Sequence, residues 1–193
     1  MIHHLKGRLT KKTPTYAIIE CNGVGYMINI SLNTHAQIGN EEECMLLTHL
    51  SIKEDAHILY GFKQDSERQL FRQLISVNGV GTSTAQMILS SLQPAEIIQC
   101  IQGEDVNALK SVKGIGTKTA QRIIIDLKDK VGADEYSSEI SSVAYNTDRN
   151  EALSALVALG FDKNKAGKAI DKLVKDSPDQ TVEGLIKGAL KML

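Results

Sequence analysis

The sequence predicts an α+β multidomain protein: a five-stranded β-barrel, an all-α region built from a duplicated unit, and a small three-helix bundle. Three observations carry this prediction. Short β-favouring runs end near residue 62, and apolar residues at helical spacing take over from Asp65. A 16-residue stretch in the helical part recurs 35 positions later, and a serine-rich acidic stretch interrupts the pattern over 133–148.

Residues 1–62 read as about five strands. Leu5–Thr10 is the first, Tyr16–Cys21 and Tyr26–Ile30 flank the turn signal Asn22-Gly23, and Cys44–Leu50 and His57–Phe62 follow. Closing so short an antiparallel sheet into a barrel removes its exposed edges. Over 63–132 the apolar spacing of Leu70, Phe71, Leu74 and Ile75 marks a helix that Ser66-Glu67-Arg68-Gln69 can cap. Further helices fit Thr84–Leu92, Pro94–Ile101, Asp105–Val112 and Lys118–Val131. Residues 133–148 carry four acids, four serines and no Lys or Arg, the composition of a solvated linker. Helical spacing returns over Glu151–Leu159, Lys163–Leu173 and Val182–Leu193, so residues 149–193 read as a minimal bundle.

Charge and composition bound the function. The chain has 193 residues, 22 Lys+Arg against 23 Asp+Glu, 4% aromatic residues and no Trp. That balance lacks the basic footprint of many nucleic-acid binders. It is nevertheless a sum over unlike parts: 1–62 carry 5 basic and 6 acidic residues, 63–132 carry 9 and 7, and 133–193 carry 8 and 10. Only the duplicated region is positive. No apolar run is long enough for a membrane span and Met1–Gly7 has no signal-peptide core, so a cytoplasmic, membrane-free protein is expected. Cys21, Cys44 and Cys100 are too scattered for a disulfide framework or zinc site and read as buried apolar side chains.

The repeat is the strongest signal. Leu74–Leu89 aligns without gaps to Leu109–Ile124, with 10 of 16 positions identical. Each copy reads helix, Gly-x-Gly turn, helix. Glycine allows close approach, and the first amides of the following helix have no partner within it. With the positive end of the helix dipole they form an anion site. One phosphate is expected against Gly79, Val80 and Gly81, another against Gly114, Ile115 and Gly116. Hydroxyls of Thr82, Thr84, Thr117 and Thr119 add contacts, and Lys118 and Arg122 add charge. Such contacts position a nucleic acid without reading its bases. The bland alternative, tight turns with Thr as caps, does not explain why the hydroxyls and the following Ala-Gln recur in both copies.

The repeat resembles the tandem helix-hairpin-helix motif. The order of barrel, two hairpins, acidic linker and three-helix tail resembles the RuvA family of Holliday-junction-binding proteins along essentially the whole chain. Local matches are Gly23-Val24-Gly25-Tyr26, Glu54-Asp55-Ala56 before Leu59-Tyr60-Gly61-Phe62, Asn78-Gly79-Val80-Gly81, Gly114-Ile115-Gly116 and Ala155–Phe161. The resemblance implies an OB-like barrel that also serves tetramerisation, and adds Asn78 to the DNA contacts. It implies roles in recombination, repair and the SOS response to DNA damage. It also implies a homotetramer, or two stacked tetramers, a RuvB-like hexameric ATPase docked on the tail, and a RuvC-like resolvase. Leu156, Leu159, Phe161 and Leu190 are the tail residues expected to meet the motor. Thr82-Ser83 stands where relatives often have a basic residue and Thr117-Lys118 where a lysine pair is common, so the first hairpin is expected to be weaker and the salt dependence smaller.

Glu54 and Asp55 lie between the last two strands and taken alone make an ordinary polar turn. The resemblance makes them an acidic pin whose carboxylates repel crossover phosphates and keep a four-way junction open. The rival class is a structure-specific repair nuclease using the hairpins as a non-specific grip. The sequence lacks a P-loop, since Gly116–Thr119 has only its tail, and His3-His4 has no accompanying ligand cluster. The expectation is a non-catalytic subunit without cofactor or metal.

Overall fold

The structure is a computed structural model that describes residues 2–39, 42–131, 145–176 and 181–193. The chain divides into two compact units, residues 1–135 and 136–193. In the first, β1 (His4–Lys12), β2 (Tyr16–Cys21), β3 (Val24–Ile30), β4 (Glu43–Ile52) and β5 (His57–Phe62) close a barrel in the order β1-β2-β3-β5-β4. All pairs are antiparallel except β3 with β5, and β4 returns to β1. Asn22 and Gly23 both take positive φ, 48° and 85°, as a two-residue turn between right-twisted strands requires. Ala17, Ile19, Ile28, Ile30, Leu46 and Leu59 fill the interior. Strand β5 is buried on both sides: Leu59 points into the barrel, while Tyr60 and Phe62 join the helical core around Phe71.

Between β3 and β4 lies α1 (Leu32–Gln37), a helix that the sequence pattern did not predict. At six residues it is too short for periodicity to mark it. Its start is fixed by Ser31, whose Oγ accepts from the Thr34 amide at 2.9 Å.

The helical part comprises α2 (Asp65–Ser76), α3 (Thr82–Ser91), α4 (Pro94–Gln102), α5 (Val106–Lys110) and α6 (Thr117–Leu127). Pro94 opens α4, where its missing N–H costs nothing. Asp105 caps α5 by accepting from Asn107 and Ala108 at 3.0 Å each. The expected cap at Ser66–Gln69 is corrected: α2 begins at Asp65, its N-cap is Gln64 rather than Ser66, and Glu67 is buried rather than capping. The expectation of three buried cysteines also needs correction, because Cys44 is buried but Cys21 and Cys100 are half-exposed. Cys21 uses its partial exposure to donate from Sγ to the Lys6 carbonyl at 3.2 Å.

Glu67 is fully buried, and among the described residues no ion pair reaches its carboxylate; the Ser31 hydroxyl donates to one oxygen and the Thr34 hydroxyl to the other at 2.6 Å. Burial pushes its carboxyl above the usual range, and the two hydroxyl donors offset this only in part. A raised folded-state pKa means that folding takes up a proton, so this group's contribution is full below its unfolded pKa and is lost as pH rises through the folded value. Glu67→Gln is therefore expected to flatten the pH dependence of stability from the ordinary carboxyl range upward, with the variant gaining on wild type as pH increases. Urea unfolding at stepped pH reads this; parallel curves for the two proteins would contradict it.

In the second unit, α7 (Tyr145–Ala158), α8 (Lys163–Asp176) and α9 (Val182–Leu190) enclose Ala152, Leu156, Ala166, Ile170, Leu185 and Ala189. Asp162 caps α8 through the Asn164 and Lys165 amides, and Thr181 caps α9. Residues 133–144 of the expected linker lie outside the described residues. Its last four, 145–148, belong to α7 instead.

Candidate nucleic-acid interface

The two Gly-x-Gly turns are built alike. Gly79 and Gly114 have φ of +92° and +90°, which L side chains rarely adopt. In each copy the middle residue turns inward: Val80 and Ile115 are 5% and 6% exposed, and their amides donate to Val77 and Val112 at 3.0 and 3.1 Å. This corrects part of the expected contact set. The side chains of Val80 and Ile115 anchor the turns in the core, and their N–H groups are already paired.

The groups left to meet an anion are those of the following helices. Gly81 and Gly116 are the N-caps of α3 and α6, exposed, extended and without side-chain caps. The first intrahelical bonds run from Ala85 to the Gly81 carbonyl at 2.9 Å and from Ala120 to Gly116 at 3.0 Å. The amides of Thr82, Ser83 and Thr84, and of Thr117, Lys118 and Thr119, thus precede the first helical hydrogen bond. The threonines do not act as caps. Thr84 and Thr119 are half-buried, Thr117 is exposed, and Thr82 accepts from the Tyr60 hydroxyl at 3.0 Å.

The repeated residues sort by burial. Leu74 and Leu109, Val77 and Val112, Ala85 and Ala120, and Ile88 and Ile123 are all core pairs, exposed by no more than 2%. The repeated alanine is therefore a packing residue. The repeated glutamine diverges: Gln86 donates to the Ile30 carbonyl of the barrel at 2.7 Å, whereas Gln121 is exposed.

Charge is shared across the copies. Arg122 on α6 donates to the Asn78 carbonyl of the first turn at 3.2 Å. Asn78, Gly79, Lys118, Thr119, Gln121, Arg122, Ile125 and Asp126 line one groove. The first turn lacks a basic residue of its own, but a cation from the second lies against it. Gln121, Ile125 and Asp126 were not anticipated; only the repeated glutamine gave a signal.

Glu54 and Asp55 are exposed at the tip between β4 and β5, closed by the Lys53 amide on the Ala56 carbonyl at 2.9 Å. Neither forms an ion pair among the described residues. In the tail, Leu156 is fully buried, which corrects its expected place on a docking surface. Phe161 is half-buried against the same core, while Leu159 and Leu190 are 62% and 42% exposed. Among the described residues, no helix is long and apolar enough to cross a membrane.

Three family models match: the RuvA N terminal domain over residues 1–61, the SAM-like helix-hairpin-helix tandem over 71–129, and the RuvA C-terminal domain over 147–193. The chain is 57% identical over 193 residues to a protein of Christiangramia forsetii and 50% identical over 193 residues to one of Flavobacterium psychrophilum. It is 46% identical over 201 residues to one of Bacteroides fragilis. Each match covers all of both chains, and each relative is named Holliday junction branch migration complex subunit RuvA.

Proposed function

Because the chain belongs to the RuvA family, we propose that it is the non-catalytic DNA-binding subunit of a branch-migration complex, which recognises four-way junctions and holds them open and near-planar. The observation that carries this reading is the pair of like-built, uncapped helix starts after Gly81 and Gly116, with Lys118 and Arg122 beside them. Amides and hydroxyls hold phosphates without regard to sequence, which a protein that lets base pairs move through it requires. Asn78, Gly79 and Gly114 shape the turns. Val80 and Ile115 serve from behind as anchors.

In this reading four copies, or two stacked tetramers, surround the junction and present Glu54 and Asp55 to its centre. The carboxylates repel the crossover phosphates and disfavour the collapsed form. The tail, residues 149–193, docks a RuvB-like hexameric ATPase through Leu159, Leu190 and the exposed part of Phe161, and a RuvC-like resolvase acts on the same junction. ATP hydrolysis belongs to the motor. The work is placed in the cytoplasm.

Titration of labelled four-way junction and of linear duplex with equal arm length, at one moderate salt concentration, tests the reading. Junction binding about tenfold or more tighter is expected; equal affinity would remove the junction-specific claim. The double variant Glu54→Gln with Asp55→Gln is expected to bind junctions as well as wild type or better while altering their opening, read by fluorescence transfer between arms. Simple loss of binding would refute the repulsive role.

A further inference from the structure

The two hairpins are alike in sequence but not in what they touch. The first is fastened to the barrel by polar side chains. Gln86 on α3 donates to the Ile30 carbonyl at 2.7 Å, and Tyr60 on β5 donates to Thr82 at the start of α3 at 3.0 Å. Asn33 on α1 donates to the carbonyls of Leu89 and Leu92, near the end of α3, at 2.6 and 2.9 Å, and its own oxygen accepts from Gln93 at 2.7 Å. The Leu32 amide donates to Ser90 at 3.2 Å. Among the described residues, no side-chain hydrogen bond joins α5 or α6 to the barrel; between the hairpins, Arg122 donates to the Asn78 carbonyl and Gln73 on α2 to the Lys130 carbonyl just past α6, at 3.2 and 3.4 Å.

Holding two bodies together does not require this seam. Tyr60 and Phe62 already pack their rings against Phe71 at 5.1 Å. Apolar contact is non-directional and tolerates small rotations, whereas hydrogen bonds depend on distance and angle and weaken if the register shifts. What the seam adds is a fixed angle. Strand β5 emerges from the acidic turn at His57 and reaches Thr82 through Tyr60, so the angle relates Glu54 and Asp55 to the first phosphate site.

We infer that the duplicated hairpins have divided their work, and that Asn33, Tyr60 and Gln86 are positioning residues that hold the first hairpin at a set angle to the acidic turn and so determine the arm geometry of a bound junction. The second hairpin, with Lys118 and Arg122, supplies the charge. Gln86 and Gln121 show the division within one repeated position, since the former fastens the barrel and the latter faces the groove. This inference rests on the junction-binding reading.

The test uses the full chain and a four-way junction labelled on adjacent arms, with linear duplex alongside, over a series of salt concentrations. In the triple variant Asn33→Ala, Tyr60→Phe and Gln86→Met, energy transfer at saturation is expected to move toward the stacked form. The ratio of junction to duplex affinity should fall roughly tenfold, about the worth of one to two hydrogen bonds, with an unchanged salt slope. The double variant Lys118→Ala with Arg122→Ala should do the reverse: a salt slope shallower by about one for each phosphate that is no longer neutralised, and wild-type energy transfer at saturation. A triple variant that is folded by circular dichroism and yields wild-type energy transfer would overturn the inference. Should the triple variant not fold, Gln86→Met is set against Gln121→Met; a shift in the former alone supports the division, and an equal response in both refutes it. Wild-type protein without junction preference would instead sink the underlying functional reading, a result visible before any variant is made.

Discussion

Replacing Gly81 and Gly116 together by alanine is expected to lower affinity for junction DNA by about tenfold or more while leaving thermal stability nearly unchanged. The two glycines of each turn are there for different reasons. Gly79 and Gly114 need positive φ, so alanine there strains the backbone by about 1–2 kcal/mol at each site. Gly81 and Gly116 have extended backbones with φ of −86° and −84°, which any residue adopts, and a methyl group at either would meet nothing within 4 Å. Glycine and alanine differ modestly as N-caps. In the proposed function the added methyl would instead meet a phosphate held against the amides of Thr82 to Thr84 or Thr117 to Thr119. Loss of one charge-assisted hydrogen bond costs about 1.5–3 kcal/mol, hence tenfold or more. The measurement is junction titration beside a thermal melt. Unchanged affinity would mean that phosphates do not sit at these helix starts, and a large fall in melting temperature would mean that the glycines serve the fold.

Gly7→Ala is expected to have the largest effect on folding of any single methyl addition in the barrel. Gly7 lies on β1 between β2 and β4, and an added Cβ would stand 2.2 Å from the Glu20 carbonyl oxygen and 3.1 Å from Cys21 Sγ. At Gly61 the corresponding clash, 2.5 Å, is with Cγ2 of the buried Ile28 side chain, so relief there costs packing; at Gly7 the obstacle is backbone. Relief requires β1 and β2 to part, breaking ladder bonds as well as packing, at a cost of about 3 kcal/mol or more. Hydrogen exchange of the β1, β2 and β4 amides reads the loss directly, with the amides of α7 to α9 as an internal reference. Wild-type protection in β1 and β2 would show that the strands accommodate the methyl.

The barrel was legible because its strands are short, turn-bounded and spaced by strong punctuation: Tyr16–Cys21 and His57–Phe62 coincide with β2 and β5, and Asn22-Gly23 is the turn that dipeptide favours. Helix α1 was not, because six residues give no period and its cap, Ser31, looks like any loop serine. Repetition marked the two uncapped helix starts after Gly81 and Gly116, but it could not separate residues that pack from residues left at the surface. Ala85 and Ala120 recur as fully buried packing residues, and Val80 and Ile115, between the turn glycines, face the core rather than the surface. The polar seam was invisible for another reason. Asn33, Tyr60 and Gln86 belong to three elements, and no local pattern relates residues that meet only after folding. In the tail, apolar spacing identified the bundle, while the split between buried Leu156 and exposed Leu159 depends on where α7 ends.

The inward anchoring of Val80 and Ile115 bears on how freely DNA can travel. Each turn is nailed to the core by the side chain between its glycines, so the amides stand ready before any ligand arrives. Little ordering entropy is spent on capture. A rigid array of amides also offers every phosphate the same well, whatever base pair lies behind it. In the proposed function, advancing the duplex by one step would return the protein to an energetically equivalent position, and base pairs broken on one arm would be remade on another. The energy profile along the path of migration is then nearly level, with ripples set by the amides rather than by sequence. In the proposed function, a motor drawing DNA across such a surface would work against friction and not against a slope.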